Sequence, residues 1–362
     1  MRSVLDEASG IRRMTVLSVG YPLFPVRTDE SGGAEQILVL VERGLVESGN
    51  RSVVVAAQGS SIAGRLIATP CVNGQMIESR EKAQKVHARA ITKAVRDFSV
   101  DLIHFHGLDF HTYVPDIPIP MLATLHLPLG WYPDSIYQLP KVTLNCVSHA
   151  QANGAGFPVV LNGIDTQRYR PAENKQDYLL WLGRVCPEKG AHIALEVAHR
   201  LDLPIIIAGP LHPFRSHHSY FNEKVKPLLD DKRRYIGPVH GQVKADLLAA
   251  ARCLLVPSLV AETSSLVAME AITSGTAVVA FRSGALPEVI EHGNTGFIVD
   301  TGDEMVDAVS RIGEISPKVC RARGMAQFDA RRMIRDYLNL YRRLCERGAV
   351  VNDPEFEVSG PV

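Results

Sequence analysis

The stretch DYLLWLGRVCPEKGAHIALEVAHRLDLPIIIAG, residues 177–209, contains the repeating unit of the predicted fold. Its apolar runs at 177–183 and 204–209 flank a stretch at 190–200 whose apolar residues recur at helical spacing. Both runs are mostly apolar on both faces, which is typical of parallel strands covered by helices on either side. This pattern predicts a β-α-β unit with a right-handed crossover.

The same alternation of short apolar runs and amphipathic stretches continues in both directions. Further strands are predicted at 14–20, 51–57, 101–106, 120–126, 142–148, 233–237, 253–258 and 277–281. Further helices are predicted at 34–48, 78–98, 219–230, 242–251, 265–274 and 303–312. The alternation predicts an α/β protein built from open parallel sheets.

A polar, turn-rich segment, NGIDTQRYRPAEN at 162–174, divides the strands into two series and is predicted to be a linker. The length of 362 residues also fits two domains. We predict Rossmann-like parallel-sheet domains at 14–165 and 170–324, facing each other across a cleft. Ligands of such sheets bind at the carboxyl ends of the strands, so the cleft is the expected site.

The two ends of the chain are predicted to lie outside the sheets. Residues 1–13 precede the first apolar run and contain no apolar core of signal-peptide length, so we expect a flexible extension. Apolar residues at helical spacing predict a last helix at about 325–346, which we expect to pack on the first domain. We expect residues 347–362 to form a flexible tail.

Composition argues against several function classes. Lys and Arg together number 39, and so do Asp and Glu, which is unlike a protein that coats nucleic acid. The sequence contains no run of about 18 apolar residues, so no transmembrane helix is predicted. The six cysteines form no CxxC pair, which indicates reduced thiols in the cytoplasm and no zinc site.

Two glutamates in the segment AETSSLVAME form the first candidate site. Glu262 precedes a predicted helix and Glu270 lies within it, about 12 Å away if the whole segment is helical. Cooperating carboxylates of a glycosidase lie roughly 5–10 Å apart, so this spacing better fits two contacts to one long ligand. Between them, the amides of Ser265, Leu266 and Val267 would face an anion such as a diphosphate. A surface helix with two solvated glutamates is the alternative.

Two cations in the segment WLGRVCPEKG form the second candidate site. Arg184 and Lys189 follow the carboxyl end of a predicted strand. The fork of an arginine and the point charge of a lysine at that position suit the binding of phosphate groups. A solvated loop is the alternative.

These segments resemble the retaining glycosyltransferases of family 4, the glycosyl transferases group 1. GRVCPEKG is similar to the Arg/Lys diphosphate motif of that family, and Glu262 and Glu270 match its paired-glutamate motif. Other similar segments, in the same order, are SGGAE (31–35), CVSHA (146–150), NGID (162–165) and SGTAVVAFRSGALPEVIEHGNTGFIVD (274–300). Many members have an aromatic residue and a glycine where this chain has Thr263, Ser264 and Ser265.

The resemblance implies the GT-B fold and a role for each charged residue. Arg184 and Lys189 would neutralise the leaving diphosphate. Glu270 would bind the ribose hydroxyls, and Glu262 would bind hydroxyls of the transferred sugar. No DxD motif follows an apolar run, so we expect no metal and no other cofactor, with the fixed cations taking the electrostatic role of a metal.

The resemblance also implies candidate residues in the first domain. Gly32 and Gly33 would let the backbone approach the diphosphate, with a tight turn that opens a helix as the alternative. His126 ends a predicted strand and matches a position where the family often has an active-site histidine. A satisfied core histidine is the alternative there. His104 and His106 alternate along one strand and are interpreted as structural.

The implied function is metal-independent, retaining transfer of a hexosyl-type sugar from a nucleotide-diphosphate sugar to an unidentified acceptor hydroxyl. Two alternatives are a sugar-nucleotide epimerase of similar fold and a non-catalytic sugar-nucleotide-binding protein. Basic residues along one side of helix 78–98 would permit peripheral contact with a membrane, as in relatives with lipid acceptors. A solvated helix face is the simpler interpretation of that stripe.

Overall fold

The computed structural model describes residues 13–28, 32–70 and 77–347, without the side chains of 77–79 and 347. The expected extension at the start of the chain and the expected tail at its end therefore lie outside the described residues, except for one residue of each.

The chain divides into two compact units. The first unit extends to Val147 and includes Gly154–Val160 and the chain from Met333 onward. The second unit consists of Ser148–Asn153 and Leu161–Arg332.

The first unit is built on a six-stranded sheet. Its strands are β1 (Thr15–Val19), β2 (Arg51–Ala57), β3 (Arg65–Thr69), β4 (Leu102–Phe105), β5 (Met121–Thr124) and β6 (Val142–Asn145). They are hydrogen-bonded in the order β3-β2-β1-β4-β5-β6, and every pair is parallel. Helices α1 (Gly33–Glu47) and α2 (Ile77–Asp97) pack on this sheet.

The second unit repeats this plan after the short helix α3 (His149–Ala152). Its strands are β7 (Leu179–Leu182), β8 (Ile205–Ala208), β9 (Arg233–Tyr235), β10 (Cys253–Val256), β11 (Val278–Phe281) and β12 (Gly296–Val299). The order is β12-β11-β10-β7-β8-β9, again with every pair parallel. Its helices are α4 (Ala191–Arg200), α5 (Arg215–Tyr220), α6 (Gly241–Ala250), α7 (Leu266–Thr273), α8 (Leu286–Val289), α9 (Gly302–Ser310) and α10 (Pro317–Gln327).

The prediction of two Rossmann-like parallel sheets is confirmed, and every predicted strand is present. The sequence pattern missed β3, because this edge strand is only partly buried and has no continuous apolar run. It also missed β12, whose sequence is GFIV. The helix predicted at 219–230 was wrong in position, because α5 begins at Arg215 and wider and tighter helical turns follow it up to Leu228.

The segment at 162–174, predicted to be a linker, is hydrogen-bonded to other parts of the second unit. The Thr166 hydroxyl donates to Asp329 Oδ2 over 2.9 Å, and the Arg321 guanidinium donates to the backbone oxygens of Thr166 and Tyr169. Thr166 and Tyr169 are buried. The polar groups of this segment therefore bind to the second unit, which polarity along the chain does not reveal.

The last helix, α11 (Ala330–Arg347), begins later than predicted. Asp329 Oδ1 accepts a hydrogen bond of 2.8 Å from the backbone N–H of Arg331, as the residue preceding a helix commonly does. The backbone N–H of Ala330 donates instead to the carbonyl of Ile164, so the chain breaks here between α10 and α11.

Helix α11 packs on the sheet of the first unit through two tyrosines. Tyr341 Oη and Nδ1 of His104 share a hydrogen bond of 2.7 Å, and Tyr337 Oη lies 3.1 Å from Thr124 Oγ1. His104 is fully buried, and its other ring nitrogen bonds to Thr124 over 2.7 Å. Burial lowers the pKa of His104 well below its usual range, so the ring is neutral at pH 7.

None of the described helices is long and apolar enough to cross a membrane. On α2, Lys82, Lys85 and Arg89 are exposed, whereas Ala83 and Ala94 are buried. An apolar side against a sheet and a charged side in solvent is the arrangement of an ordinary covering helix.

We predict that Tyr341→Phe destabilises the first unit by about 1–3 kcal/mol, because a buried nitrogen of His104 loses its partner. Hydrogen exchange measured by mass spectrometry would show weaker protection of β4 and β5. Asn339→Ala on the exposed side of the same helix is the control and should change protection little. Unchanged protection in Tyr341→Phe would contradict the packing role of α11.

Candidate functional site

The order of the strands creates the candidate site of the second unit. After β7 the chain continues to β8 and β9 on one side of the sheet, and after β10 it continues to β11 and β12 on the other side. The loops after the neighbouring strands β7 and β10 therefore leave the sheet side by side. The place where the strand order reverses is called the switch point, and ligands of open α/β sheets bind there. The β7 loop carries Arg184 and Lys189, and the β10 loop carries Glu262.

Lys189 and Glu262 form an ion pair between these two loops, with 2.6 Å between Nζ and Oε1. The Ser258 hydroxyl donates to the same carboxylate oxygen, also over 2.6 Å. The Glu262 side chain is only 9% exposed and that of Lys189 is 27% exposed. A carboxylate this deeply buried requires such partners, because an uncompensated charge would be costly.

Two glycines permit the close approach of the loops around this pair. Gly190 has φ +66°, and a Cβ there would collide with the backbone oxygen of Pro257. Gly284 has φ +56°, and a Cβ there would collide with the backbone of Glu262. The backbone N–H of Ala285 donates to the Glu262 carbonyl over 2.7 Å, so this segment supports the loop directly.

Arg184 is not part of this contact. Its side chain is exposed and forms no ion pair with any residue in the described ranges. The structure therefore brings together Lys189 and Glu262 from the predicted set and leaves the Arg184 guanidinium in solvent.

Glu270 lies on α7 and is 1% exposed. Its Oε1 accepts hydrogen bonds from Tyr169 Oη over 2.7 Å and from Lys244 Nζ over 2.6 Å. Its Oε2 is buried and has no hydrogen-bond partner among the described residues. A buried carboxylate oxygen in this position can accept a hydrogen bond from a ligand.

Sequence reasoning missed both partners of Glu270. Lys244 lies on α6 without any recognisable motif, and Tyr169 lies in the segment interpreted as a linker. Burial, together with the charge of Glu270, raises the pKa of Tyr169 far above its usual range, so its hydroxyl remains a donor.

The first turn of α7 follows Glu262 along the chain. The helix begins at Leu266, with Ser265 as its N-cap residue, and the Ser265 side chain makes no capping hydrogen bond. The Ser264 hydroxyl is buried and unpartnered within the described chain. The amide groups of Ser265, Leu266 and Val267 thus lie where a helix start can bind an anion.

The candidate glycines of the first unit lie at the start of α1. Gly32 is the N-cap residue and Gly33 the first residue of the helix. The backbone of Gly32 has φ −82°, which any residue can adopt, but the carboxylate of Glu35 occupies the space that a Cβ would need. A turn that opens a helix accounts for this geometry.

His126 follows β5 and contacts a second histidine. Its Nε2 lies 3.1 Å from Nδ1 of His106, and its backbone N–H donates to Tyr132 Oη over 3.0 Å. Burial lowers the pKa of His126 to about 4, so the ring is neutral at pH 7. The pairing with His106 was not predicted, because the alternation of His104 and His106 indicated only a strand.

Comparison with known proteins gives a family and several relatives. Residues 176–314 match the family described as Glycosyl transferases group 1. The D-inositol 3-phosphate glycosyltransferase of Corynebacterium efficiens is 30% identical over 179 residues, which cover 43% of this chain and 42% of that protein. The chain thus spans less than half the length of the curated relatives that it matches.

Solved structures share the fold over nearly all of the chain. AviGT4, a glycosyltransferase involved in avilamycin A biosynthesis, is 25% identical with a TM-score of 0.71, covering 92% of this chain and 98% of its own. Anabaena Alr3699/HepE, solved in complex with UDP and glucose, is 17% identical with a TM-score of 0.71, covering 91% and 100%. The fold is therefore GT-B. Residues 176–314 are thus similar to the glycosyl transferases group 1, and the likeness to solved glycosyltransferases over the rest of the chain is one of fold.

Proposed function

We propose that this protein transfers a hexosyl-type sugar from a nucleotide-diphosphate sugar to an acceptor hydroxyl, with retention of the anomeric configuration. The observation that carries the proposal is the contact of Lys189 with Glu262 at the switch point of the second unit, directly before the start of α7. A cation, a buried carboxylate and a helix start in one place supply binding groups for both the diphosphate and the sugar.

Binding of the diphosphate would use the cations of the β7 loop and the amides at the start of α7. Lys189 is held in place by Glu262 before any ligand arrives, so little reorganisation is needed. Arg184 is exposed and able to turn toward an anion. These groups stabilise the charge that develops on the leaving phosphate, so we propose that catalysis does not require a divalent metal.

Glu262 would orient the transferred sugar. Both of its described side-chain contacts, from Lys189 and Ser258, use Oε1, so we assign Oε2 to a further donor such as a sugar hydroxyl. Because its charge is already engaged by Lys189, we assign it to binding and not to covalent attack on the anomeric carbon. In the proposed step the bond from that carbon to the phosphate oxygen breaks, the acceptor oxygen bonds on the same face, and its proton passes to the departing phosphate.

Glu270 would hold the ribose hydroxyls through its unpartnered Oε2. Since the side chain is almost fully buried, this contact requires a small movement of Tyr169 or Lys244. His126, neutral at pH 7, can donate or accept a hydrogen bond without adding a charge.

The relatives support the donor class. The Anabaena protein was solved with UDP and glucose, and the relative from Corynebacterium is named for glycosyl transfer. None of the cysteines within the described ranges forms a disulfide, which supports action in the reducing cytoplasm.

We predict that Lys189→Ala lowers turnover by about 100-fold or more, because a charge-assisted donor to the developing anion is lost. Turnover would be measured with the purified full chain over a panel of nucleotide sugars. Lys232→Ala is the matched control, since Lys232 is an exposed lysine paired with Asp202 in the same unit. Ser258→Ala removes the other donor to Glu262 and separates loss of charge from loss of orientation. Wild-type turnover in Lys189→Ala would contradict the diphosphate role.

Substitution of the two glutamates should have different effects on the affinity for free nucleotide diphosphate, measured by calorimetry. Glu270→Gln should weaken binding by about one to two decades, because a charge-assisted hydrogen bond to ribose is worth roughly 1.5–3 kcal/mol. Glu262→Gln keeps a side-chain oxygen that can accept from Lys189 and Ser258, so it should bind nucleotide diphosphate nearly as wild type does. Its turnover should fall, because the carboxylate that it loses is assigned to the sugar. Equal losses of affinity in the two variants would refute this division of roles. Far-UV circular dichroism checks that both variants fold.

The stereochemistry and the metal requirement can be tested in one assay. Protein freed of divalent ions should convert an α-linked donor into an α-linked product, as read from the anomeric proton by NMR. Added Mg²⁺ should not raise the rate, because fixed cations already neutralise the leaving group. A β-linked product, or activity that appears only with Mg²⁺, would overturn the proposed mechanism.

A further inference from the structure

Three side chains of different chemistry converge beside the β7 loop. They are Cys186 and Glu188, within the segment CPEKG, and His217 on α5. The thiol sulfur, one carboxylate oxygen and one ring nitrogen all lie within 4.8 Å of one another. None of the three belongs to the sugar-nucleotide site, although Glu188 directly precedes Lys189.

Two atoms of this cluster lack the partners that buried polar atoms normally have. Oε2 of Glu188 and Nδ1 of His217 are buried, and neither forms a hydrogen bond with any residue that the structure describes. His217 as a whole is only 9% exposed. Buried polar atoms without a protein partner often mark the place of a bound ion or an ordered water.

We propose that Cys186, Glu188 and His217 bind one Zn²⁺ ion, with a fourth position open to water. Thiolate, imidazole and carboxylate are the common zinc ligands in proteins, and three protein ligands leave a tetrahedral ion one open position. Ligand atoms around such an ion are about 3.5 Å apart, so the side chains need to close by about 1.3 Å or less. The thiolate and imidazole select zinc over magnesium or calcium.

The charge balance of this site is favourable. One thiolate and one carboxylate together neutralise the ion, so the complex adds no net charge to the interior. Without the ion, a cysteine thiol carries its proton at neutral pH. Uptake of the ion breaks the S–H bond, forms the S–Zn bond and releases one proton to solvent.

Occupation of this site would join the β7 loop to α5. Cys186 and Glu188 belong to the short turn that ends at Lys189, whereas His217 comes from a helix that follows β8. A metal link between them would restrict the movement of the loop that carries Lys189. The site was not predicted from the sequence, because a Cys-x-Glu segment and a histidine far along the chain do not match zinc-ligand spacing.

The test is metal binding by the full chain, stripped of metal with a chelator that is then removed by dialysis. Zn²⁺ titrated against a chromophoric competitor should show one tight equivalent. Co²⁺ in its place should give the near-ultraviolet absorption of a cobalt–thiolate bond. Cys186→Ser and His217→Ala should each lower the affinity by more than the roughly 10–100-fold that loss of an outer partner costs. Cys186→Ser should also abolish the thiolate band.

Two variants serve as matched controls. His218→Ala alters the neighbouring, exposed histidine of the same helix, and Cys345→Ser removes a thiol of the first unit. Both should bind Zn²⁺ as the wild type does. If Cys186→Ser does not fold, Glu188→Gln provides the same test of affinity. No tight equivalent in the wild type, or wild-type affinity in Cys186→Ser and His217→Ala, would overturn the proposal, and neither readout depends on transferase activity.

Discussion

The reversal of strand order at the β7–β10 pair is the constraint on which the second unit depends. Two neighbouring parallel strands there send their outgoing chains to opposite halves of the sheet, so no crossover helix fills the space between their carboxyl ends. Residues far apart in sequence become neighbours as a result. Lys189 and Glu262 meet only because their strands are adjacent.

Charge burial then determines how the loops are built. Glu262 and Glu270 are both almost fully buried, and each is held by one lysine and one hydroxyl group. A carboxylate in such surroundings is stable only with these partners, and the partners fix its orientation. The left-handed glycines at 190 and 284 let the surrounding backbone come close enough. The same interactions that stabilise the loops therefore preorganise a site for a polar ligand.

In and after β4 and β5 the first unit has neutral histidines, whereas the loops after β7 and β10 of the second unit are joined by an ion pair. His104 lies within β4, His106 follows it and His126 follows β5, and burial lowers the pKa of each. Tyr341 of α11 supplies a partner to His104, so the final helix closes a hydrogen-bonded cluster. Helix α11 is thereby linked through Tyr337 to Thr124 of β5, the strand that precedes His126.

The sequence by itself determined the two parallel sheets, because apolar runs and amphipathic helices are local patterns that need no knowledge of the fold. It also placed Arg184, Lys189 and Glu262 after strand ends and Glu270 on the helix that follows, through motifs that resemble those of a known family. Only the tertiary structure decided their partners: the Lys189–Glu262 pair, the contacts of Tyr169 and Lys244 with Glu270, and the exposure of Arg184. Strand order is a property of the whole sheet, and it decides which loops meet. No local pattern along the chain contains that information.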